Sequence, residues 1–457
     1  MTYIVEEITT LLQKVLPEEQ ISTNLTVREL HGRDESYHEP ALPDIVVFPR
    51  TTEEVSGIVK IANDHLIPII PFGVGSSLEG HIIPYDKGIT IDFCEMNTIL
   101  DIQPEDLLVK VQPGVTRMQL NKELRKHGLF FSVDPGADAT LGGMAATNAS
   151  GTTAVKYGVM RDQVRDMEIV LANGDIIHTG SSAAKSSSGL HLNGLFVGSE
   201  GTLGCITELT LRVYGIPEFE VAGRAVFPTT EAAVQAVVAI TQAGIPIGRV
   251  ELVDKQSVHQ VNVYNETNYP EQPTLFVEFH GNEAGLAQDI EFATEIFNDF
   301  GCEDIQFEKD TAARNKLWEG RHGLAYAYIH SYPSKKFMST DVCVPISQLA
   351  PSIDYARIEM DKLGLDGGLV GHVGDGNFHA LLMINLKDPE EMAKAISYNE
   401  KIVEFALARG GTCTGEHGVG IGKMKYQAKE HGPALNVMKA IKATLDPNNI
   451  MNPNKLF

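Results

Sequence analysis

The chain has 457 residues. A domain with a single hydrophobic core is usually shorter, so this length predicts two or three domains. Hydrophobic residues make up 43% and charged residues 21%, the ordinary balance of a globular protein in water. The formal net charge of −23 argues against nucleic acid or an anionic membrane surface as a partner, so an anionic substrate needs local positive charge.

The sequence shows no targeting or membrane-spanning signal. No apolar run approaches the roughly 18 residues of a membrane span. Residues 1–20 mix Glu, Lys and Leu and predict an amphipathic helix within an N-terminal helical segment, residues 1–42. The five cysteines are scattered without paired spacing, which indicates a reducing compartment. We therefore expect a cytoplasmic protein without a transmembrane segment.

A strand, a helix and a second strand follow from residue 43. The apolar run Ile45 to Phe48 predicts the first strand, and Thr51 with Glu54 forms a capping-box pattern at the start of the helix. The second strand, Ile67 to Pro71, runs directly into a loop of small residues, Gly73 to His81. Closely spaced glycines can aim backbone N–H groups at one phosphate. The loop lacks the order of a dinucleotide-binding or P-loop motif, so a plain turn is the alternative.

Two more stretches of small residues occur between strands. Residues Pro135 to Gly151 carry almost no bulky side chain, and Gly198 to Gly204 repeat the pattern before a strand at Ile206 to Tyr214. Another strand, Val164 to Asn173, lies between them. Three such loops predict an extended cofactor that lies against backbone. The alternative is three unrelated tight turns.

Past Tyr214 the pattern changes to alternating strands and helices. The predicted elements are strands at Ala225 to Phe227, Arg249 to Val253 and Thr274 to Phe279, and helices at Thr230 to Ala243 and Glu283 to Phe300. This order is typical of an antiparallel sheet with helices on one face. We therefore predict a separate α+β domain with its boundary near Ile216.

A histidine pair lies in a predicted hairpin near the C-terminus. His372 and His379 flank the turn from Gly374 to Asn377, and Glu416-His417 follows about forty residues later. Two imidazoles and one carboxylate are a ligand set that suits zinc and other first-row metals. Ordinary hydrogen-bonded histidines at a sheet edge are the alternative, and the spacing alone leaves both open.

Taken together, these stretches resemble a known family. The segments Pro71 to His81, Asp134 to Gly151, Gly198 to Gly204 and Gly415 to Gly418 are similar, in this order, to the FAD-linked oxidases of the vanillyl-alcohol oxidase and p-cresol methylhydroxylase superfamily. The nearest branch contains cytochrome-type D-lactate dehydrogenases, D-2-hydroxyglutarate dehydrogenases and the glycolate oxidase D subunit. The resemblance extends from about Pro43 to Phe457.

The resemblance implies an α+β fold with FAD as a non-covalent cofactor. It implies a two-part FAD-binding domain (43–216) of the p-cresol methylhydroxylase type, an antiparallel-sheet cap (217–412), and a C-terminal segment (413–457) that returns to the FAD domain. The implied cofactor-binding residues are Pro71, Gly73, Val74, Gly75, Ser76, Ser77, Gly80, His81, Pro135, Gly136, Thr140, Gly142, Gly143, Ala146, Thr147, Ser150, Gly151, Glu200, Gly201, Gly204 and Ile206.

The resemblance also assigns roles around the histidine pair. A divalent metal, usually zinc, is expected on His372, His379 and Glu416, with His417 as the general base. Arg321, which taken alone resembles a surface or ion-pair residue, is expected to bind a substrate carboxylate. Asn377 is expected to add a hydrogen bond to the substrate.

The implied activity is FAD-dependent oxidation of a small D-2-hydroxy acid, with D-lactate favoured and glycolate next. D-2-hydroxyglutarate is the alternative substrate, but Ser339 stands where its enzymes place a lysine, and Lys336 lies three residues earlier. A non-catalytic flavin subunit of a larger complex and a flavin-free metalloprotein are further alternatives. A quinone, a cytochrome, an electron-transfer flavoprotein, a partner subunit and oxygen all stay open as electron acceptors, as does a homodimer.

Overall fold

The computed structural model describes residues 4–457. The first three residues of the predicted N-terminal helical segment lie outside this range. The helices are α1 (Val5–Leu12), α2 (Leu25–Leu30), α3 (Thr52–His65), α4 (Arg117–Leu124), α5 (Leu141–Thr147), α6 (Ala154–Tyr157), α7 (Met160–Gln163), α8 (Asn193–Phe196), α9 (Thr230–Gln242), α10 (Lys255–Asn265), α11 (Glu283–Asp299), α12 (Thr311–His322), α13 (Leu324–Ser331), α14 (Leu349–Leu363), α15 (Pro389–Leu407), α16 (Gln427–His431) and α17 (Ala434–Leu445).

The strands complete the element order. They are β1 (Ile21–Ser22), β2 (Ile45–Val47), β3 (Ile69–Phe72), β4 (Ile89–Asp92), β5 (Ile99–Gln103), β6 (Leu108–Val111), β7 (Leu129–Phe130), β8 (Val164–Val170), β9 (Ile176–His178), β10 (Cys205–Arg212), β11 (Tyr214–Gly215), β12 (Phe219–Val226), β13 (Ile247–Val253), β14 (Thr274–Gly281), β15 (Asp304–Glu308), β16 (Lys336–Ser339), β17 (Val342–Cys343), β18 (Asp366–His372) and β19 (Asn377–Ile384).

The chain forms two compact units. Unit 1 comprises the residues up to Ser150, Gly158–Ile216 and Glu416–Phe457, and unit 2 comprises Gly151–Tyr157 and Pro217–Gly415. The short segment joins unit 2 through side chains, because Lys156 Nζ donates to the carbonyl of His280 at 3.0 Å. Among residues 4–457, no helix combines the length and apolar character that crossing a bilayer needs.

Unit 1 contains a four-stranded and a five-stranded sheet. In the first, β2 and β3 both pair in parallel with β4, and α3 connects β2 to β3. Thr51 caps α3 as predicted, because its Oγ1 accepts from Glu54 N at 3.2 Å. The helix then buries Val55, Ile58 and Val59 in the core of this sheet. The first glycine-rich loop therefore begins at the end of β3, a strand of the sheet on which α3 packs.

The five-stranded sheet has the order β5-β6-β10-β8-β9 and is antiparallel. Helix α5 packs Leu141, Met144 and Ala145 into its core. The C-terminal helix α17 adds Ile441 and Leu445 to the edge of the same core. The C-terminal segment thus returns to unit 1, as the resemblance implied.

Unit 2 is built on an eight-stranded sheet. The order β15-β12-β14-β13-β18-β19-β16 is antiparallel throughout, and β17 pairs with β19. The buried residues Val258, Trp318 and Tyr328 bring α10, α12 and α13 against this sheet. The prediction of an antiparallel sheet with packed helices is confirmed.

The histidine hairpin is also confirmed. Strands β18 and β19 pair with His372 opposite Asn377, so the turn occupies residues 373–376. Gly376 adopts φ +90, and a Cβ there would lie 2.0 Å from the Val344 carbonyl oxygen. Only glycine fits this tight position. All eight residues of β19 are buried, which fixes the hairpin within the sheet.

Candidate active site

The first glycine-rich loop of unit 1 presents unpaired backbone donors. Gly75 adopts φ +73, a left-handed conformation that turns the chain sharply. Within residues 4–457, the N–H groups of Val74, Gly75, Ser76 and Ser77 donate no hydrogen bond. Consecutive free N–H groups around a left-handed residue form a concave anion-binding surface. The loop therefore presents the backbone donors that a phosphate group would require.

The fold brings the three glycine-rich loops together within unit 1. A Cβ on Gly73 would lie 2.5 Å from Thr140 Oγ1, and one on Gly201 would lie 2.9 Å from Pro71 Cγ. In addition, the N–H of Glu200 donates to the Ala146 carbonyl at 2.8 Å. The absence of bulky side chains permits these close approaches between the loops.

Helix α5 presents one face to the core and another outward. Gly143, Ala146 and Thr147 lie three and four residues apart and are half-buried, whereas Leu141, Met144 and Ala145 are buried. The outward face thus consists of small side chains over which a flat ring could lie. Of the other residues predicted in this loop, Pro135 is half-buried, Gly136 is exposed and Ser150 is buried, while Gly151 belongs to unit 2.

Several predicted cofactor residues are closely packed against other parts of the chain. A Cβ on Gly142 would lie 2.5 Å from Pro113 Cβ, and one on Gly204 would lie 2.6 Å from Ile169 Cγ2. A Cβ on Gly80 would lie 2.6 Å from Ile421 Cγ1. The side chain of Ile206 packs in the core of the five-stranded sheet. The small size of these three glycines is explained by chain packing, and the Ile206 side chain is engaged in the core.

Glu200, also predicted to contact the cofactor, binds the C-terminal segment. Its Oε1 accepts from Val419 N at 2.7 Å and its Oε2 from Gly420 N at 2.8 Å. The buried His81 ring places Nε2 at 3.4 Å from Glu200 Oε2. Burial opposes charge on Glu200, but the His81 charge and these hydrogen bonds outweigh it and lower the pKa of Glu200. Both side chains therefore have structural partners within unit 1.

In unit 2, the histidine pair is oriented by hydrogen bonds. The Nδ1–H of His372 donates to Glu251 Oε1 at 2.6 Å, and the Nδ1–H of His379 donates to the Thr340 carbonyl at 3.0 Å. Because carboxylate and carbonyl oxygens only accept, Nδ1 of each ring carries the hydrogen, and Nε2 is the nitrogen with which each ring can bind a metal. The ring centroids are 5.4 Å apart, and both residues are buried. This arrangement suits a shared metal ion, since metal-binding histidines usually donate their other N–H to such acceptors.

Arg321 is paired with the same carboxylate. Its Nε and Nη2 donate to Glu251 Oε2 at 3.1 and 2.6 Å. Burial disfavours charge on Glu251, which is 0% exposed, but His372 and Arg321 outweigh it and lower the pKa of Glu251. Arg321 Nη1 donates no hydrogen bond to any residue within 4–457 and stays available for an anion.

Asn377 offers an acceptor rather than a donor. Its Nδ2 group donates hydrogen bonds to Asp341 Oδ1 and to the Val342 carbonyl, each at 2.7 Å. Its Oδ1 is buried and accepts no hydrogen bond from residues 4–457. A buried unpaired oxygen is costly, so a hydroxyl group of a ligand is a natural partner for it.

Glu416 and His417 begin the C-terminal part of unit 1, and both are half-buried. They follow Gly415, whose N–H donates to Asp341 Oδ2 at 2.8 Å in unit 2. Sequence reasoning missed Asp341 and Glu251, both of which are 0% exposed. The available signal was a single acidic residue inside an otherwise apolar strand, as in Val250-Glu251-Leu252.

Comparisons with known proteins identify the family of this chain. Residues 43–180 match the family described as FAD binding domain, and residues 216–456 match FAD linked oxidases, C-terminal domain. The chain belongs to the FAD-linked oxidase family. A zebrafish (Danio rerio) protein named "Probable D-lactate dehydrogenase, mitochondrial" is 46% identical, covering 100% of this chain and 93% of the relative. Glycolate oxidase subunit GlcD of Bacillus subtilis is 34% identical, covering 94% and 92%.

Solved structures share the fold of this FAD-linked oxidase. p-Cresol methylhydroxylase has a TM-score of 0.81 at 20% identity, covering 98% of this chain and 96% of that chain. Alkyldihydroxyacetonephosphate synthase has a TM-score of 0.78 at 21% identity, covering 100% and 86%. The resemblance, the fold class and FAD as cofactor are thus confirmed, and the chain is a flavin-dependent oxidoreductase similar to D-lactate dehydrogenases.

The predicted cytoplasmic location is wrong. Relatives from zebrafish, Arabidopsis thaliana and Saccharomyces cerevisiae are all named as mitochondrial D-lactate dehydrogenases. The prediction relied on reduced, scattered cysteines and on the absence of an apolar run, and neither feature separates one reducing compartment from another.

Proposed function

We propose that this FAD-linked oxidase oxidises a small D-2-hydroxy acid, D-lactate first and glycolate second, to the 2-oxo acid. The relatives named D-lactate dehydrogenase at 46% and 43% identity, and the GlcD subunit at 34%, support this order of substrates. The observation that carries the proposal is the set formed by the buried residues His372, His379 and Glu251 and the half-buried Arg321. It joins imidazoles that are oriented on one sheet to a guanidinium on helix α12.

His372 and His379 would hold a divalent metal through Nε2, and Glu416 would supply the third ligand. The Nδ1 hydrogen bonds of both rings to Glu251 and Thr340 support this assignment. When bound, the metal lowers the pKa of the substrate hydroxyl and leaves open positions for substrate. Zinc is the metal proposed first, because nitrogen and oxygen ligands in this number are typical of catalytic zinc.

Arg321 binds the substrate carboxylate with the Nη1 donors that Glu251 leaves unused. Asn377 adds a hydrogen bond within the site, because its buried Oδ1 can accept one from a donor other than the hydroxyl hydrogen that His417 removes. His417 removes the hydroxyl proton, because an imidazole is the side chain best suited to act as a general base near neutral pH. FAD, when bound, accepts the α-hydrogen as a hydride.

Two further features bear on substrate and acceptor. Lys336 is exposed and lies three residues along β16 from Ser339, so the two side chains leave opposite faces of the strand. Lys336 therefore does not replace a lysine at position 339, which favours a monocarboxylate over D-2-hydroxyglutarate.

Relatives from Arabidopsis and yeast carry the word cytochrome in their names, which supports a cytochrome among the predicted acceptor classes.

Turnover with an artificial dye acceptor tests the substrate assignment. D-lactate, glycolate and D-2-hydroxyglutarate are compared at equal concentration, with L-lactate as the stereochemical control. We expect kcat/KM for D-lactate to exceed that for D-2-hydroxyglutarate by at least about 100-fold, because the second carboxylate of D-2-hydroxyglutarate would have no cationic partner in the site. Faster turnover of the dicarboxylate would overturn the proposal.

A further inference from the structure

The two residues before Glu416 are bound by a buried carboxylate of unit 2. Asp341 is 0% exposed, and its Oδ2 accepts from Thr414 Oγ1 at 2.6 Å and from Gly415 N at 2.8 Å. Its Oδ1 accepts from Asn377 at 2.7 Å. Asp341 therefore connects, through hydrogen bonds, the hairpin that carries His379 with the backbone that directly precedes Glu416.

The two residues after Gly418 are bound by a buried carboxylate of unit 1. Glu200 accepts from the N–H groups of Val419 and Gly420 with one oxygen each. Gly418 adopts φ +84, and a Cβ there would lie 2.5 Å from His81 Nε2. The chain on this side is thus held by hydrogen bonds and by close packing.

We propose that Asp341 and Glu200 are positioning residues for the turn Glu416-His417-Gly418. Only these three residues separate Gly415, which binds Asp341, from Val419, which binds Glu200. The inference rests on the proposed roles of Glu416 as metal ligand and His417 as base. It gives Glu200 a role other than the cofactor contact that the sequence implied.

The chemistry explains why carboxylates serve here. A carboxylate accepts several hydrogen bonds at once, and bonds from backbone N–H to a charged acceptor are about twice as strong as neutral ones. A misplacement of about 1 Å in a catalytic group costs about 100-fold in rate. Each carboxylate limits such displacement at its own end of the three-residue turn.

The test compares Asp341→Asn and Glu200→Gln with matched controls in the same units. Asp254→Asn is the control in unit 2, because Asp254 is buried and accepts from Ser257 N. Asp446→Asn is the control in unit 1, because Asp446 accepts from Ile450 N and Met451 N. Each protein is assayed for FAD content, thermal unfolding, amide hydrogen exchange in residues 412–422, and anaerobic flavin reduction per bound FAD.

We expect both test variants to exchange amide hydrogens in residues 412–422 about 10-fold faster and to reduce flavin about 100-fold more slowly. The controls lower the unfolding temperature to a similar degree but keep wild-type exchange and reduction rates. Wild-type values of both rates in folded Asp341→Asn and Glu200→Gln would overturn the proposal.

A milder variant covers the case in which these proteins fail to fold. Thr414→Val removes one hydroxyl donor to Asp341 and keeps the carboxylate, whereas Thr414→Ser restores the hydroxyl. We expect slower flavin reduction in the first and recovery in the second, and equal rates in both would contradict the inference. His417→Ala separates the two claims, because an active His417→Ala protein refutes the proposed base itself.

Discussion

The most informative substitution is Glu251→Gln. The carboxylate is 0% exposed and accepts from His372 at 2.6 Å and from Arg321 at 3.1 and 2.6 Å. An amide keeps one acceptor oxygen, which can serve His372 or Arg321 but not both. Breaking a buried charge pair costs about 3–5 kcal/mol of stability. Loss of the outer hydrogen bond to a metal-binding histidine lowers metal affinity about 10–100-fold, equivalent to about 1.4–2.7 kcal/mol.

Competition with a metal chelator measures this affinity, and chemical denaturation measures the stability. Glu278→Gln is the matched control, because Glu278 is a buried carboxylate on the neighbouring strand β14 that binds Trp318 and His280 instead. We expect both variants to lose stability and only Glu251→Gln to lose metal affinity. Wild-type metal affinity in a folded Glu251→Gln protein would refute the role given to this hydrogen bond.

Three further predictions concern the base, the metal and acid stability. His417→Ala is expected to stay yellow while D-lactate bleaches its flavin at least about 100-fold more slowly, as for loss of a general base; unchanged bleaching in stopped-flow absorbance contradicts this. Full removal of metal by a chelator is expected to abolish activity, and adding zinc is expected to restore it. Activity in a protein that metal analysis shows to be metal-free contradicts this prediction. Burial raises the pKa of Glu278, but hydrogen bonds from His280 and Trp318 and the charge of Arg249 lower it to about 2. Since its ordinary value is 4.5, Glu278 contributes about 3 kcal/mol above pH 4.5, and this is lost as pH falls towards 2. The stability difference between wild type and Glu278→Gln, measured by denaturation, should therefore shrink over that range, and a constant difference contradicts it.

Local patterns predicted the elements that carry the site. The apolar residues on both sides of the Gly374 to Asn377 turn predicted the β18–β19 hairpin, because apolar runs joined by a short glycine turn are typical of paired strands. The small residues from Gly73 to Ser77 predicted a phosphate-binding loop, because free N–H groups need glycine conformations. Both signals lie within one short stretch of chain, where sequence spacing and spatial spacing agree.

Long-range contacts could not be predicted in this way. Glu251 and His372 are 121 positions apart, and only the pairing of β13 with β18 makes them neighbours. Glu200 lies 219 positions before Val419, and its carboxylate suggested no backbone partner in the C-terminal segment. The sequence also does not show that Pro113 would approach Gly142 or that Ile169 would approach Gly204.

The central claim is that this flavoprotein oxidises D-2-hydroxy acids. Anaerobic mixing of the purified, metal-loaded protein with D-lactate or L-lactate, followed by flavin absorbance, tests it most directly. The account predicts that D-lactate bleaches the flavin at least about 100-fold faster than L-lactate. Equal rates for the two enantiomers, or no bleaching by D-lactate while the protein retains FAD and metal, would contradict it.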